Sequence, residues 1–288
     1  MKWLSFLATV AALLVLVDGV RAQPSRAEPK RGDTYELTLN RDMAQRNDLG
    51  GTGSSHDQDT LIERVVGARS DGLELEYDFP KNTPEQERAS EWHFPARVFK
   101  PAKGPIQLIN RAELEARVEG WLKNGGMTRA NCGQLIFTWN AFRIDCDPQS
   151  VTRMIQRFDL TSFEVREGAS YLAPYAQGPA RLTRGASSLT LVAEVAVDPD
   201  AVRQARAETD VGVAQIMRKS LTLEEALRER ARETVSGTIS VKFETSPTGD
   251  VLRRTTVTKL EIRRPDGHAE TQTTTETLER RPVPPRNS

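Results

Sequence analysis

The stretch GTISVKFETSPTGDVLRRTTVTKLEI, residues 237–262, decides the fold. Every second residue from Ile239 to Phe243 is apolar, which is the period of a strand with one buried face. The proline and glycine in SPTGD, residues 246–250, mark a turn, and the chain returns as a second strand. A second turn signal, Pro265-Asp266-Gly267, precedes a threonine-rich strand that runs to about Leu278. The C-terminal part is therefore predicted to be a three-stranded antiparallel meander.

The N-terminal part carries the same strand pattern. TYELTLNRD, residues 34–42, alternates apolar and polar positions, and LIERVVGARSDGLELEYDF, residues 61–79, holds two strands around the turn signal Ser70-Asp71-Gly72. Prolines recur between residues 81 and 105, which favours a long connection with one edge strand over residues 92–99. The first eighty residues are predicted to form a second meander.

Helical patterns lie between the two meanders. Asn110 can cap a helix that ends near Lys123 before two glycines, and Asp147-Pro148 can start a second helix. Residues 199–233 are mostly helix-forming, with a break predicted at residues 219–221 ahead of the capping-box pair Thr222 and Glu225.

This order of elements indicates an α+β fold, in which N- and C-terminal strands form a curved antiparallel sheet and a helical insertion packs on one face. We expect a single domain over residues 34–280, with the insertion at residues 110–160, a flexible leader at 23–33 and a disordered tail at 281–288. The strand segments quoted above resemble the hairpins of uncharacterised exported bacterial domains built on a long-stranded antiparallel sheet. The resemblance implies the fold and export, and it supplies no catalytic motif.

The N-terminus MKWLSFLATVAALLVLVDGVRA resembles a signal peptide, with Lys2 ahead of an apolar run and a cleavage site after Ala22. The alternative is an uncleaved membrane anchor, but the run is shorter than the roughly 20 residues that a span needs. We expect cleavage and a periplasmic location, with secretion into the medium as the alternative, and no membrane span in the mature chain.

Charge argues against a nucleic-acid partner. The 288 residues carry 40 basic and 40 acidic side chains, and cleavage after Ala22 removes Lys2, Arg21 and Asp18, which leaves 38 against 39. Nucleic acids and anionic membranes attract concentrated positive charge, which this balance does not provide.

Two cysteines, Cys132 and Cys146, are the only ones in the chain. In an oxidising compartment two cysteines usually pair, and a bridge requires the chain between them to reverse, which we place near Asn140. A structural disulfide is the favoured interpretation; the alternatives are two buried free thiols, or a redox couple, which lacks C-x-x-C spacing.

No catalytic, cofactor-binding or metal-binding motif is present, so the sequence names no catalytic residue, no metal ligand and no cofactor. His56, in the segment HDQD, is interpreted as part of a mobile hairpin tip. Glu74, Glu76 and Asp78 share one strand face, which could bind a cation but which we expect to be the solvated side of an amphipathic strand. The pairs Arg253-Arg254 and Arg263-Arg264 could mark an anionic partner, but adjacent strand residues point to opposite faces, so each pair splits its charge. We expect them to be edge and surface residues that discourage aggregation.

Two functions fit these observations. The favoured one is a non-catalytic binding or interaction protein whose partner is an unknown protein or apolar ligand. The alternative is a periplasmic hydrolase whose carboxylates, such as Asp145, Asp147 and Glu164, converge only in the folded chain. A structural component of the cell envelope is a third hypothesis.

Overall fold

The structure is a computed structural model that describes residues 29–137, 141–161 and 165–284. Ten strands form one curved antiparallel sheet, as the sequence predicts. In order across the sheet the strands are β10 (Thr183–Arg184), β11 (Thr190–Ala196), β12 (Thr234–Thr245), β13 (Val251–Arg263), β14 (Ala269–Pro282), β1 (Thr34–Asn47), β2 (Thr52–Arg69), β3 (Gly72–Asp78), β4 (Ala96–Pro101) and β5 (Gln107–Leu108).

The two predicted meanders join at the centre of the sheet. β1 pairs with β14 along its length, with Leu39 opposite Leu278, so the first and last long strands are neighbours. The C-terminal meander is confirmed as β12, β13 and β14, and the N-terminal one as β1, β2 and β3. The predicted α+β class with a curved antiparallel sheet is therefore confirmed.

Five helices are described: α1 (Glu85–Ser90), α2 (Arg111–Asn124), α3 (Ser150–Arg157), α4 (Pro199–Ile216) and α5 (Leu223–Arg230). The capping box of Thr222 and Glu225 starts α5 as predicted. Asn110 precedes α2 but makes no cap hydrogen bond; its side-chain oxygen instead accepts from the Arg97 amide at 2.8 Å, which ties the helix to β4.

Helices α2, α3 and α4 bury apolar side chains against one face of the sheet, the helix-bearing face. Its buried side chains alternate along the strands, so that neighbours in register, such as Leu37 and Leu61 or Tyr77 and Glu63, point the same way. Leu114, Val118 and Leu122 of α2 are buried, which is the apolar stripe that the sequence predicts. No helix among the described residues is long and apolar enough to cross a membrane.

The cysteines form a disulfide, as the sequence predicts, with Cα atoms 5.7 Å apart. Between them β6 (Leu135–Phe137) pairs antiparallel with β7 (Ala141–Arg143), so the chain reverses as expected. The predicted turn residue, Asn140, lies outside the described residues. The bridge fastens the start of this hairpin to the segment that leads into α3.

Several details differ from the sequence-based expectation. The proline-containing connection holds α1 and the paired strand β4, because the prolines fall outside both elements or at the last residue of β4. His56 lies within β2, opposite Asp42, and is therefore not at a hairpin tip; the turn is at residues 48–51. β14 continues to Pro282, two residues into the predicted tail. Helix α1 is not predicted by the sequence, whereas α4 and α5 lie within residues 199–233, where helices are predicted.

Candidate functional site

A groove of about 1210 Å³ opens on the helix-bearing face. Its floor is formed by β1, β13 and β14, and α3 and α4 form two of its walls. The third wall is a loop of residues 171–175, called the roof loop below. It begins at the last residue of the short strand β8 (Ser170–Tyr171), which pairs with β9 (Ala180–Arg181).

The groove begins where the strands change from apolar to polar residues. On the helix-bearing face of β14, Leu278 is buried, and the next three positions are Glu276, Thr274 and Gln272. β1 changes in the same register, from Leu39 to Arg41. Polar floor residues cannot pack against the apolar face of a helix as the neighbouring apolar residues, such as Leu39 and Leu278, can. The helices therefore leave this part of the sheet uncovered.

The roof loop and α4 form an apolar wall. Leu172 and Tyr175 remain 62% and 51% exposed although they line the groove, and Val202 and Ala205 of α4 lie beside them. Tyr175 has a φ of 61°, which is uncommon for a residue other than glycine, and its carbonyl accepts a 2.7 Å hydrogen bond from the Asp198 amide. The loop is thus held at the start of α4.

Buried polar residues lie beneath the wall near α3. Tyr171 packs edge-on against Phe243, with ring centroids 5.1 Å apart, and burial raises the pKa of its phenol while hydrogen bonding to Arg254 opposes the rise. Arg254 is only 8% exposed, and its guanidinium lies 3.5 Å from Glu276 and from the Arg157 carbonyl. This arginine therefore links the groove floor to the end of α3.

An ion-pair cluster closes the groove beside α4. Arg230 donates to both carboxylate oxygens of Asp210, at 2.7 and 2.6 Å, and to Glu233 at 2.5 Å. These bonds raise the pKa of Arg230, with Asp210 as the largest cause. Arg206 bridges Glu233 and Glu270 at 3.2 and 3.6 Å, although its angle to Glu233 falls outside hydrogen-bond geometry. The carboxylates here are neutralised by arginines.

Three other arginines of the groove lack such partners. Among the described residues, Arg41 of β1 and Arg153 of α3 form no ion pair, and Arg157 reaches only Asp59, at 3.9 Å. Arg153 and Arg157 are four residues apart and share one face of α3. Asp59 and Asp57 lie two residues apart on the same face of β2, and Asp57 is opposite Arg41 of β1. Because Arg157 contacts Asp59, its guanidinium lies near Arg41. These three residues are called the arginine mouth below.

The sequence-based site assignments have mixed outcomes. Arg253 and Arg254 do point to opposite faces, but β13 is a central strand and Arg254 is buried, so the expectation of edge or surface residues is wrong for Arg254. Arg253 contacts Glu279 on the opposite face. Arg263 and Arg264 are exposed, as expected.

The three strand carboxylates that the sequence offers as a cation site, Glu74, Glu76 and Asp78, are each paired with an arginine. Arg69 contacts Glu74, Arg64 lies 2.7 Å from Glu76, and Arg88 lies 3.1 Å from Asp78. His56, the histidine of HDQD, hydrogen-bonds Asp42 at 2.7 Å on the exposed part of the sheet.

Two of the carboxylates named for a hydrolase, Asp145 and Asp147, do not line the groove. Asp145 accepts from the Asp147 amide and Asp147 from the Gln149 amide, both at 3.0 Å, so each stabilises the turn into α3. Glu164 lies outside the described residues.

Sequence reasoning missed the arginine mouth, the roof loop and the buried Arg254. One signal was available for α3: Arg153 and Arg157 recur at helical spacing on the side away from Val151 and Ile155. The approach of this face to β1 depends on the tertiary fold, which local patterns do not reveal.

Comparisons with known proteins identify no family for this chain. No protein-family model matches the sequence, and no curated protein matches it. A solved structure described as lipid–protein interactions in lipovitellin is similar at 8% identity and a TM-score of 0.39, over 91% of this chain and 26% of that one. The chain thus spans about a quarter of the lipovitellin chain. The dehydratase domain of RzxB from Pseudomonas fluorescens is similar at 13% identity and a TM-score of 0.14, over 88% and 78% of the two chains. Neither TM-score reaches 0.5, and neither supports a functional argument.

Proposed function

We propose that this protein is an exported, non-catalytic binding protein that holds a ligand with an apolar portion in the groove between α3, α4 and the roof loop. The single observation that carries the proposal is the apolar wall, where Leu172 and Tyr175 stay exposed inside a groove of about 1210 Å³. Ligand sites are concave and combine apolar walls with a few polar groups that fix orientation. The groove has both features.

Export is supported by two independent features. The N-terminal sequence has the charge, apolar run and small-residue site of a signal peptide, and the Cys132–Cys146 disulfide suits an oxidising compartment. N-terminal sequencing of the protein recovered from the periplasm should begin at Gln23. A chain that still begins at Met1 would show that export by cleavage is wrong.

The binding proposal is tested with N-phenyl-1-naphthylamine, an uncharged apolar probe whose fluorescence rises on binding. The wild-type protein should bind the probe, and Leu172→Asn should weaken binding about fivefold, since part of a leucine side chain no longer covers the ligand. Leu252→Asn is the matched control, because Leu252 is 44% exposed and lies outside the groove. Absence of binding, or an equal loss in both variants, would contradict the proposal.

A further inference from the structure

The groove presents opposite chemistry at its two sides. The roof loop supplies the exposed apolar side chains of Leu172 and Tyr175 on one side. The arginine mouth supplies positive charge on the other side: among the described residues Arg41 and Arg153 form no ion pair, and Arg157 lies 3.9 Å from Asp59. Between them lie Thr256, Thr258 and Thr274, each with a methyl group and a hydroxyl. Strand geometry puts Arg254 and Ile262, at the two limits of the floor on β13, about 27 Å apart.

Charge in the groove is unbalanced. Six arginines and three carboxylates line it, a net charge of +3. Each carboxylate is held by an arginine: Asp210 by Arg230, Glu270 by Arg206, and Glu276 by Arg254. The positive charge that no carboxylate lining the groove balances is that of the arginine mouth.

Two acidic residues at the rim reduce this charge without cancelling it. Asp57 and Asp59 lie on β2 beside β1, and counting both leaves a net charge of +1. Asp57 is directly opposite Arg41 in the register of the sheet but forms no ion pair with it among the described contacts. The arginines are therefore available to an anion, and Asp57 opposes its binding.

From this arrangement we infer that the ligand is an anionic amphiphile, with its apolar part against Leu172, Tyr175 and α4 and its carboxylate or phosphate group at Arg41, Arg153 and Arg157. This inference rests on the proposed function and specifies the ligand class of the same groove. Arginine suits either group, because its planar guanidinium forms paired hydrogen bonds with carboxylate and phosphate oxygens. An uncharged apolar molecule would leave the arginines without a partner.

The test measures binding to the full-length mature protein by displacement of N-phenyl-1-naphthylamine and by calorimetry, with every amphiphile below its micelle concentration. The probes are dodecanoate, dodecyl phosphate, dodecyl maltoside, dodecyltrimethylammonium and inorganic phosphate. Dodecanoate or dodecyl phosphate should bind about tenfold more tightly than the uncharged and cationic amphiphiles, and the stronger of the two identifies the anionic group. Inorganic phosphate should bind far more weakly than dodecyl phosphate, because burial of each methylene contributes about 0.8 kcal/mol, roughly fourfold in affinity.

Variants that change the charge of the groove test whether the arginine mouth binds the anionic group. The double variant Arg41→Gln/Arg153→Gln should weaken binding of the anionic amphiphiles about fivefold and leave binding of dodecyl maltoside within twofold, since each exposed charge pair contributes roughly 1.4- to 5-fold in affinity. Asp57→Asn removes a negative charge opposite Arg41 and should strengthen binding of the anionic amphiphiles about twofold. Arg111→Gln is the matched control, because Arg111 is exposed on α2, away from the groove.

The outcomes separate this inference from the proposed function. Equal binding of uncharged and anionic amphiphiles, or equal effects of Arg111→Gln and the double variant, would overturn the anionic ligand while leaving the groove as a binding site. If inorganic phosphate binds as tightly as dodecyl phosphate, the ligand is an inorganic anion and the inference of an amphiphile is wrong. Failure of every amphiphile and of N-phenyl-1-naphthylamine to bind would overturn both proposals.

Discussion

Lys100 Nζ lies 2.5 Å from Asp159 Oδ1, and both side chains are buried. The pair joins β4 to the residues that follow α3, and Asp159 also accepts a 2.8 Å hydrogen bond from the Thr161 amide. Because Arg157 is the last residue of α3, this buried pair fixes the position of the wall that carries the arginine mouth. Burial of two charges is costly in free energy, so we expect this ion pair to position α3 more than it stabilises the fold.

Removal of one partner of this pair should be strongly destabilising. Lys100→Met removes the cation 2.5 Å from the buried Asp159 carboxylate, and the free energy of unfolding should fall by about 3–5 kcal/mol. Urea denaturation followed by circular dichroism measures the change. Arg232→Met is the control, because Arg232 forms an exposed pair with Glu229 at 3.4 Å, and the loss there should stay below about 1 kcal/mol. Similar losses in both variants would contradict the role of the buried pair.

The disulfide should stabilise the fold by restricting the unfolded chain. Reduction, or Cys132→Ser, opens a loop with a sequence separation of 14, and the free energy of unfolding should fall by about 3 kcal/mol in the chain-entropy model. Urea denaturation with and without reductant gives the value. A reductant should have no further effect on Cys132→Ser, and an unchanged midpoint for the reduced wild-type protein would contradict the prediction.

The sequence predicted the sheet well because strand patterns are local. The alternation over Ile239 and Phe243, and the turns that follow, specify β12 and β13 without knowledge of their neighbours. Helix α3 and the disulfide were also predictable, from Asp147-Pro148 and from the cysteine count. These features depend on residues close in sequence or on a single rule of chemistry.

The groove could not be predicted in the same way. Thr256 and Glu276 are adjacent on its floor only through the register between β13 and β14. Arg153 and Arg41 line the same groove only because the tertiary fold brings the end of α3 into contact with β2 and β13. Arg254 was assigned to an edge or to the surface because adjacent strand residues split their charge across opposite faces, whereas tertiary packing buries this one next to Tyr171. Sites assembled from separate strands and helices leave no local signal.

Tyr77 should make the fold sensitive to alkali. Burial, and then the charge of Glu63, hold the pKa of Tyr77 well above its usual value. The unfolded chain ionises this group near pH 10 while the folded chain does not, so the stability that it contributes is complete below pH 10 and is lost as pH rises further. The free energy of unfolding should therefore fall by about 1 kcal/mol between pH 9 and pH 11 on account of this residue.

Tyr77→Phe provides the comparison. This variant loses the 2.8 Å hydrogen bond to Glu63 and should be less stable at neutral pH by about 1.5–3 kcal/mol. Its stability should then fall less than that of the wild-type protein between pH 9 and pH 11, as measured by urea denaturation at each pH. Parallel losses in the two proteins would show that Tyr77 is not responsible for the alkaline sensitivity.

Gly237 occupies a place in β12 where a larger residue does not fit. A Cβ atom at this position would lie 2.2 Å from the Lys259 carbonyl oxygen and 3.1 Å from the Leu260 side chain, so Gly237→Ala must displace backbone in the centre of the sheet. Overpacking of this kind costs about 1–3 kcal/mol. Gly120→Ala is the matched control, because Gly120 is exposed in the middle of α2 with nothing within 4 Å of an added Cβ, and alanine there should stabilise by about 0.5–1 kcal/mol. Urea denaturation should give midpoints shifted in opposite directions, and a Gly237→Ala protein as stable as the wild type would show that β12 and β13 can separate enough to admit a methyl group.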